Sequence, residues 1–321
     1  MKTITKWLFV LLLVAFYGCD DIIEEDITDD MLIPAYPLNN AQIESNVVNF
    51  QWQDLSGADD YRIQVYSSNQ NMILDSLVRT NNFTFAILPG SYQWRVRGEN
   101  FAYQTSYTFP LSFSVIETDD LTNQQVQLLY PGSGIFTQEA TFTYTWSEVA
   151  SAQEYVFQLI NVSGGNTLLH QQNNITATLY SPPTGLIADD GQYMWKVKAI
   201  NTENDTETQF ASRNFYVDNT PPNQPLNTLP ENETEENIST SIDFEWNPAQ
   251  DQGPVSSSLT YIIQIATDTS FNSVIHTATT SNTAYQYTFT SENTYYWRVK
   301  AVDQSGNQGN YGGYFKIKIN E

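Results

Sequence analysis

Tyr193-Met194-Trp195-Lys196-Val197-Lys198-Ala199 decides the fold, because the chain carries this pattern three times. The other copies are Tyr92-Gln93-Trp94-Arg95-Val96-Arg97-Gly98 and Tyr295-Tyr296-Trp297-Arg298-Val299-Lys300-Ala301. Read at every second position, Tyr, Trp, Val and Ala or Gly share one face, and the bases share the other. A strand with one buried and one wet face has this pattern, since successive side chains leave opposite sides of the pleat. Three copies about a hundred residues apart imply three domains of one kind.

Working outward, each module opens with an apolar or aromatic residue before proline: Tyr36-Pro37, Tyr130-Pro131 and Leu229-Pro230. Proline suits an edge position, where a missing N–H costs no ladder bond. A second alternating strand follows, as Val48-x-Phe50-x-Trp52, Phe142-x-Tyr144-x-Trp146 and Ile242-x-Phe244-x-Trp246. A third begins at Tyr61, Tyr155 and Tyr261, which lie 9, 9 and 15 residues after those Trp residues. The longer gap holds Asp251-Gln252-Gly253-Pro254, a loop insertion. Turn residues precede each Tyr-x-Trp strand, and a last alternating strand closes each module at Val115, Val217 and Ile319. Short strands with regular turns and a paired aromatic core predict an all-β chain of antiparallel sandwiches.

With Trp in the second strand and Tyr opening the sixth after Leu88-Pro89-Gly90-Ser91, each module resembles a fibronectin type III domain. Asp218-Asn219-Thr220-Pro221-Pro222 and Asp303-Gln304-Ser305-Gly306-Asn307 are common in bacterial members of that family. The resemblance implies three tandem immunoglobulin-like sandwiches, at residues 34–118, 122–218 and 219–321. It says little about ligand, because this fold hosts many roles.

At the N-terminus, Lys2 and Lys6 precede the apolar run Trp7 to Tyr17, and Gly18-Cys19 follows. A basic start, a short apolar run and a small residue describe a signal peptide, residues 1–18. Cys19 is the only cysteine, so no intrachain disulfide forms. This arrangement resembles the lipoprotein signal of bacteria, which implies a lipid on Cys19. Residues 19–33 follow as an acidic, solvated tether. The acidic block resembles the export signal of surface lipoproteins of the Bacteroidota and implies an outer-membrane anchor facing outward. The rule of enteric bacteria would instead have Asp20 hold the protein at the inner membrane.

The net charge is −23, and loss of Lys2 and Lys6 with the signal makes it more negative. Nucleic acid as a partner is disfavoured, since it needs a basic footprint. The six Trp of the repeats sit at inward phase and are expected in the cores. Arg95, Arg97, Lys196, Lys198, Arg298 and Lys300 lie outward, beside Gln64, Gln158 and Gln264 on the neighbouring strand. Cross-strand pairing accounts for them. In the third module Tyr296, Arg298, Lys300, Tyr314, Lys316 and Lys318 form a candidate ligand face for a glycan or a protein. His170 and His276, one to a module, are expected on strand surfaces and lack the neighbours a metal needs. No metal or cofactor is assigned. The acidic loops at Asp218-Asn219 and Asp303–Asn307 would suit calcium between modules, and turn chemistry explains them equally.

No nucleophile, general acid or base is recognisable, so a non-enzymatic protein is expected. The leading reading is a lipid-anchored envelope protein whose modules serve adhesion, protein binding or spacing. The alternative is a glycan-binding accessory lipoprotein of a polysaccharide-uptake system.

Overall fold

A computed structural model describes residues 24–321. The signal peptide, Cys19 and the first residues of the acidic segment lie outside the described residues. One compact unit ends at Ile116 and a second runs from Glu117 to Glu321; the second holds two separate hydrophobic cores. No helix occurs among the described residues.

In the first module the strands are β1 (Pro34–Tyr36), β2 (Ala41–Ile43), β3 (Val47–Trp52), β4 (Asp60–Ser67), β5 (Met72–Val78), β6 (Asn82–Ala86), β7 (Gly90–Glu99) and β8 (Leu111–Val115). They form two sheets in the orders β1-β3-β6 and β2-β8-β7-β4-β5. The second module has β9 (Leu128–Tyr130), β10 (Phe136–Thr137), β11 (Tyr144–Trp146), β12 (Glu154–Asn161), β13 (Thr167–Ile175), β14 (Leu179–Tyr180), β15 (Gly191–Asn201), β16 (Thr206–Glu207) and β17 (Ala211–Val217). Its sheets run β9-β11-β14 and β10-β17-β15-β12-β13, with β16 paired to β15. The third has β18 (Leu226–Leu229), β19 (Thr234–Asn237), β20 (Ser241–Asn247), β21 (Thr260–Ala266), β22 (Val274–Thr280), β23 (Ala284–Thr288), β24 (Asn293–Val302) and β25 (Phe315–Asn320). Its orders are β18-β20-β23 and β19-β25-β24-β21-β22. The repeated sequence pattern thus yields one repeated topology, a sandwich of a three-stranded and a larger sheet.

The prolines do more than mark an edge. Strands β1, β9 and β18 stop at Tyr36, Tyr130 and Leu229, and each following X–Pro bond is cis. The chain then crosses to the other sheet, where β2, β10 and β19 run parallel to β8, β17 and β25. A residue without an N–H cannot continue a ladder, so it falls where the strand changes sheets.

Trp52, Trp94, Trp146, Trp195, Trp246 and Trp297 are all buried, as their phase predicts. Each core pairs aromatics across the two sheets, such as Phe50 with Trp94 at 5.2 Å and Phe244 with Trp297 at 5.0 Å between ring centroids. Such rings can each remove about 150–250 Å² from water, enough for a core without a disulfide. The Tyr that opens each long strand turns its hydroxyl back on the preceding corner. Tyr92 donates to the Leu88 carbonyl at 2.8 Å, Tyr193 to Asp189 at 2.7 Å and Tyr295 to Ser291 at 2.9 Å. This is the tyrosine corner of such sandwiches.

Two details depart from the sequence reading. The acidic segment is not a plain tether up to residue 33: Ile27 is fully buried and Leu32 joins the first core. Acids separate these apolar residues, so the block reads as polar while burying two side chains. In addition, the outermost strand of each larger sheet, β5, β13 and β22, pairs through a register shift next to Val65, Leu159 and Ile265.

Candidate functional site

The basic faces of the long strands are engaged by their own modules. Arg95 lies 4.3 Å from the Tyr107 ring centroid and 5.3 Å from that of Tyr66, and its Nε and Nη2 donate to Gln64 Oε1 at 2.9 and 2.8 Å. Arg97 covers Tyr107 at 4.7 Å and pairs with Glu99 at 2.8 Å. Burial alone would push the Glu99 carboxyl up, but the guanidinium groups of Arg62 and Arg97 outweigh it and hold Glu99 below its ordinary range. Lys198 pairs with Glu207 and faces the Phe210 ring. The stacked ring sits 13 to 15 residues after the strand Trp in each module, at Tyr107, Phe210 and Tyr311. Arg95, Arg97, Lys198, Arg298 and Lys300 thereby pin the segment entering the last strand onto the sheet.

The candidate ligand face of the third module follows the same rule. Arg298 is sandwiched between Phe271 and Tyr311, 3.9 and 3.8 Å from their centroids, and donates twice to Gln264 Oε1. Lys300 sits 4.8 Å from the Tyr311 centroid and donates to Gln308. Lys316 pairs with Glu233 at 3.7 Å, and Lys318 with Glu235 at 3.2 Å. Tyr296 and Tyr314 do meet, with centroids 5.6 Å apart, but edge to face at 87°. Tyr296, Arg298, Lys300, Lys316 and Lys318 share one face of the sheet, where the cations have intramolecular partners and the Tyr296 and Tyr314 rings have no common plane.

Each histidine is accounted for as well. His170 and His276 bond through Nε2 to the hydroxyls of Tyr180 and Tyr285, both at 2.8 Å, and both side chains are half-buried strand residues.

Two features were not singled out from the sequence. The first is the stretch after β7, where Phe101 is 94% exposed and Phe109 83%. Asn100 folds this loop by accepting from the backbone N–H groups of Ala102 and Tyr103 at 3.1 and 2.7 Å. Phe101 faces solvent at this turn, and Phe109 does so at the other end of the segment, which returns along β7 through Thr105 and Thr108 before β8.

The second feature is a clamp that repeats at the entry to each module. The Asn100 side chain donates to the carbonyls of Glu25 and Gly57, both at 2.8 Å, and Asn201 donates to Asp119 O at 2.9 Å. Both asparagines lie six residues after the strand Trp. In the third module that position is Asp303, and Asn307, displaced by a turn through Gly306 at φ +89°, donates to Asp218 O at 2.9 Å. Asn307 also donates to both Asp303 carboxylate oxygens at 2.8 Å, through its backbone and its side chain.

Around this third clamp the carboxylates gather. Asp218, Asp251 and Asp303 each place a carboxylate oxygen within 4.8 Å of the others. Asp251 comes from the loop insertion and is held by Ser257 N–H and Oγ at 2.7 and 3.1 Å. Asp218 is 0% exposed; its Oδ1 accepts from Thr220 N–H at 3.0 Å, while its Oδ2 has no hydrogen-bond partner. Burial pushes the Asp218 carboxyl up to about 6; the Thr220 N–H opposes this, and the charges of Asp303, Asp251 and Asp190 add to it. Neighbouring Asp190 goes the other way: burial raises it, but bonds from Thr220 and Asn219 win and hold it low.

No protein-family model matches this chain, and no curated protein sequence is similar to it. Among solved structures it is similar to the FN1–FN3 domains of chicken CNTN1, at 16% identity over 90% of this chain and 99% of that one, with a TM-score of 0.40. It is also similar to the fibronectin(III)-like modules of Clostridium thermocellum CbhA, at 13% identity over 58% of this chain and 94% of that one, with a TM-score of 0.23. The repeated strand orders, the aromatic cores and the three tyrosine corners identify the fold as tandem fibronectin type III-like β-sandwiches.

Proposed function

We propose that this is a non-enzymatic, lipid-anchored envelope protein that uses its modules to bind a protein partner at the outer surface. The exposed aromatic stretch of the first module carries the reading. Phe101 and Phe109 leave large apolar side chains in water at the two ends of the segment joining β7 to β8, and the connections of a rigid sandwich are where such folds place recognition. The lipid on Cys19 and the acidic segment behind it supply the anchor. The second and third modules, where Lys198, Arg298 and Lys300 face rings of the same module, serve as spacers.

The glycan-binding alternative rests on Tyr296 and Tyr314, whose edge-to-face arrangement offers no flat platform for a sugar ring. One experiment separates the readings. The chain is incubated with envelope-protein extracts and with a panel of polysaccharides, alongside the Phe101→Ala/Phe109→Ala and Tyr296→Ala/Tyr314→Ala double variants. Saturable capture of one envelope protein, lost only in the Phe variant, is expected. Saturable glycan binding lost only in the Tyr variant would replace the proposal with the alternative. For the anchor, Cys19→Ala should move the protein from the membrane to the soluble fraction; membrane retention would overturn lipidation.

A further inference from the structure

The third module differs from the first two at one place in the fold. Two insertions set it apart: the Trp-to-Tyr gap grows from 9 residues to 15, and the clamping asparagine moves from six to ten residues after the strand Trp. Both insertions converge on Asp218. Around the entry clamp, the first module offers Glu25, Gly57 and Asn100, and the second offers Asp119 and Asn201 with Ser151 five residues after Trp146. The third places Asp218, Asp251 and Asp303 there. Where the first two modules bring one acid to the clamp, Glu25 or Asp119, the third gathers three carboxylates.

That exchange is unfavourable without a counter-charge, because like charges at this spacing repel and burial worsens the cost. Among the described residues, no Lys, Arg or His forms an ion pair with any of the three. Asp218 Oδ2 is buried and unpartnered, which a buried carboxylate oxygen rarely is.

We propose that Asp218, Asp251 and Asp303 bind one calcium ion, which ties the segment entering the third module to two of that module's loops. Ligand oxygens about 2.3–2.6 Å from a calcium are at most about 5 Å apart, and the three carboxylate oxygens all lie within 4.8 Å of one another. Magnesium demands near-ideal octahedral geometry and is usually held by one or two carboxylates, so three loop carboxylates suit the more flexible shell of calcium. A donor set made only of oxygen selects a hard cation over zinc or copper. Asp251 is half-exposed and lines an open groove with Gln250 and Ser257, so solvent reaches the cluster at this carboxylate. The proposal is independent of what the modules bind.

The test uses the full chain dialysed against chelator at pH 7.5. Calorimetric titration with calcium chloride should show one saturable site with Kd of about 10⁻⁴–10⁻³ M, and calcium should raise the thermal transition. Asp218→Asn should melt higher than the unsubstituted chain in chelator, because a buried repulsion is gone, and should lose both the binding heat and the calcium-induced rise. A variant that folds better yet fails to bind is no folding casualty. No binding heat at 10-millimolar calcium on the order of tenfold above the expected Kd, or a calcium-induced rise retained in Asp218→Asn, would overturn the proposal. Tighter binding of magnesium than of calcium would overturn the choice of ion.

Discussion

Truncating Ile27, which is fully buried, and Leu32, which belongs to the first core, should unfold the first module far more readily than an acidic tether would allow. Ile27 is 0% exposed and Leu32 4%. Truncating a buried Ile or Leu to Ala costs about 2–5 kcal/mol, the lost transfer energy plus the cavity left behind. Small domains hold a total of about 5–15 kcal/mol, so the pair accounts for a large part of the stability. Backbone ties enter the same ledger, since Gln53 N–H donates to Ile33 O at 2.9 Å and Asn100 to Glu25 O. Met31, 64% exposed, is the internal control. With a urea slope of about 1–3 kcal/mol/M, Ile27→Ala or Leu32→Ala should lower the midpoint of the first transition by roughly 1 M, and Met31→Ala should leave it in place. Tryptophan fluorescence reports the event, because Trp52 and Trp94 lie in this core. If Leu32→Ala moved the midpoint no further than Met31→Ala, the segment would be a tether after all.

In chelator, the raised carboxyl of Asp218 means the folded form keeps a proton that the unfolded form releases, so its contribution is complete below about pH 4 and is lost as pH rises to about 6. The gap from the ordinary 3.8 to about 6 is worth about 3 kcal/mol, and the difference in urea midpoint between the unsubstituted chain and Asp218→Asn should change across that window; a constant difference would contradict the assignment. Arg298→Ala should cost about 2 kcal/mol by losing two ring contacts and two donated bonds, and Arg298→Lys should recover only a part, since an ammonium cannot stack as a plane. Melting of Arg298→Lys at the unsubstituted temperature would show that charge alone suffices.

The sandwiches were legible because burial imposes a period of two, and Trp94, Trp195 and Trp297 mark its phase. Tyr92, Tyr193 and Tyr295 could likewise be placed, since the corner is local in sequence. The start of each module was harder to see. Asp26, Asp120 and Asn219 each lie eleven residues before Pro37, Pro131 and Pro230, a spacing that reveals the entry segment as part of the repeat, but the acids around Ile27 mask it. Asp218 and Asp303 were visible as acidic loops, whereas Asp251 joins them only because an insertion folds back, and no periodicity encodes that. The clamp hid for a related reason: its acceptors are backbone carbonyls, which leave no trace in side-chain pattern. The basic residues were assigned to the correct face, but their stacking partners Tyr107, Phe210 and Tyr311 come from irregular chain past the strand.

The register shifts beside β5, β13 and β22 bear on how such a chain avoids misassembly. These strands are the free borders of the larger sheets, and they carry apolar side chains in water: Met72 and Leu77 are 49% and 46% exposed, Leu168 50% and Ile275 46%. Three similar borders on one polypeptide meet at effective concentrations on the order of millimolar, where exchange of strands between half-folded copies competes with correct closure. A bulge bends and overtwists its strand, which spoils the flat template a second border would need. Repetition makes the architecture easy to extend, and a defect repeated at the same place in every copy keeps the copies apart.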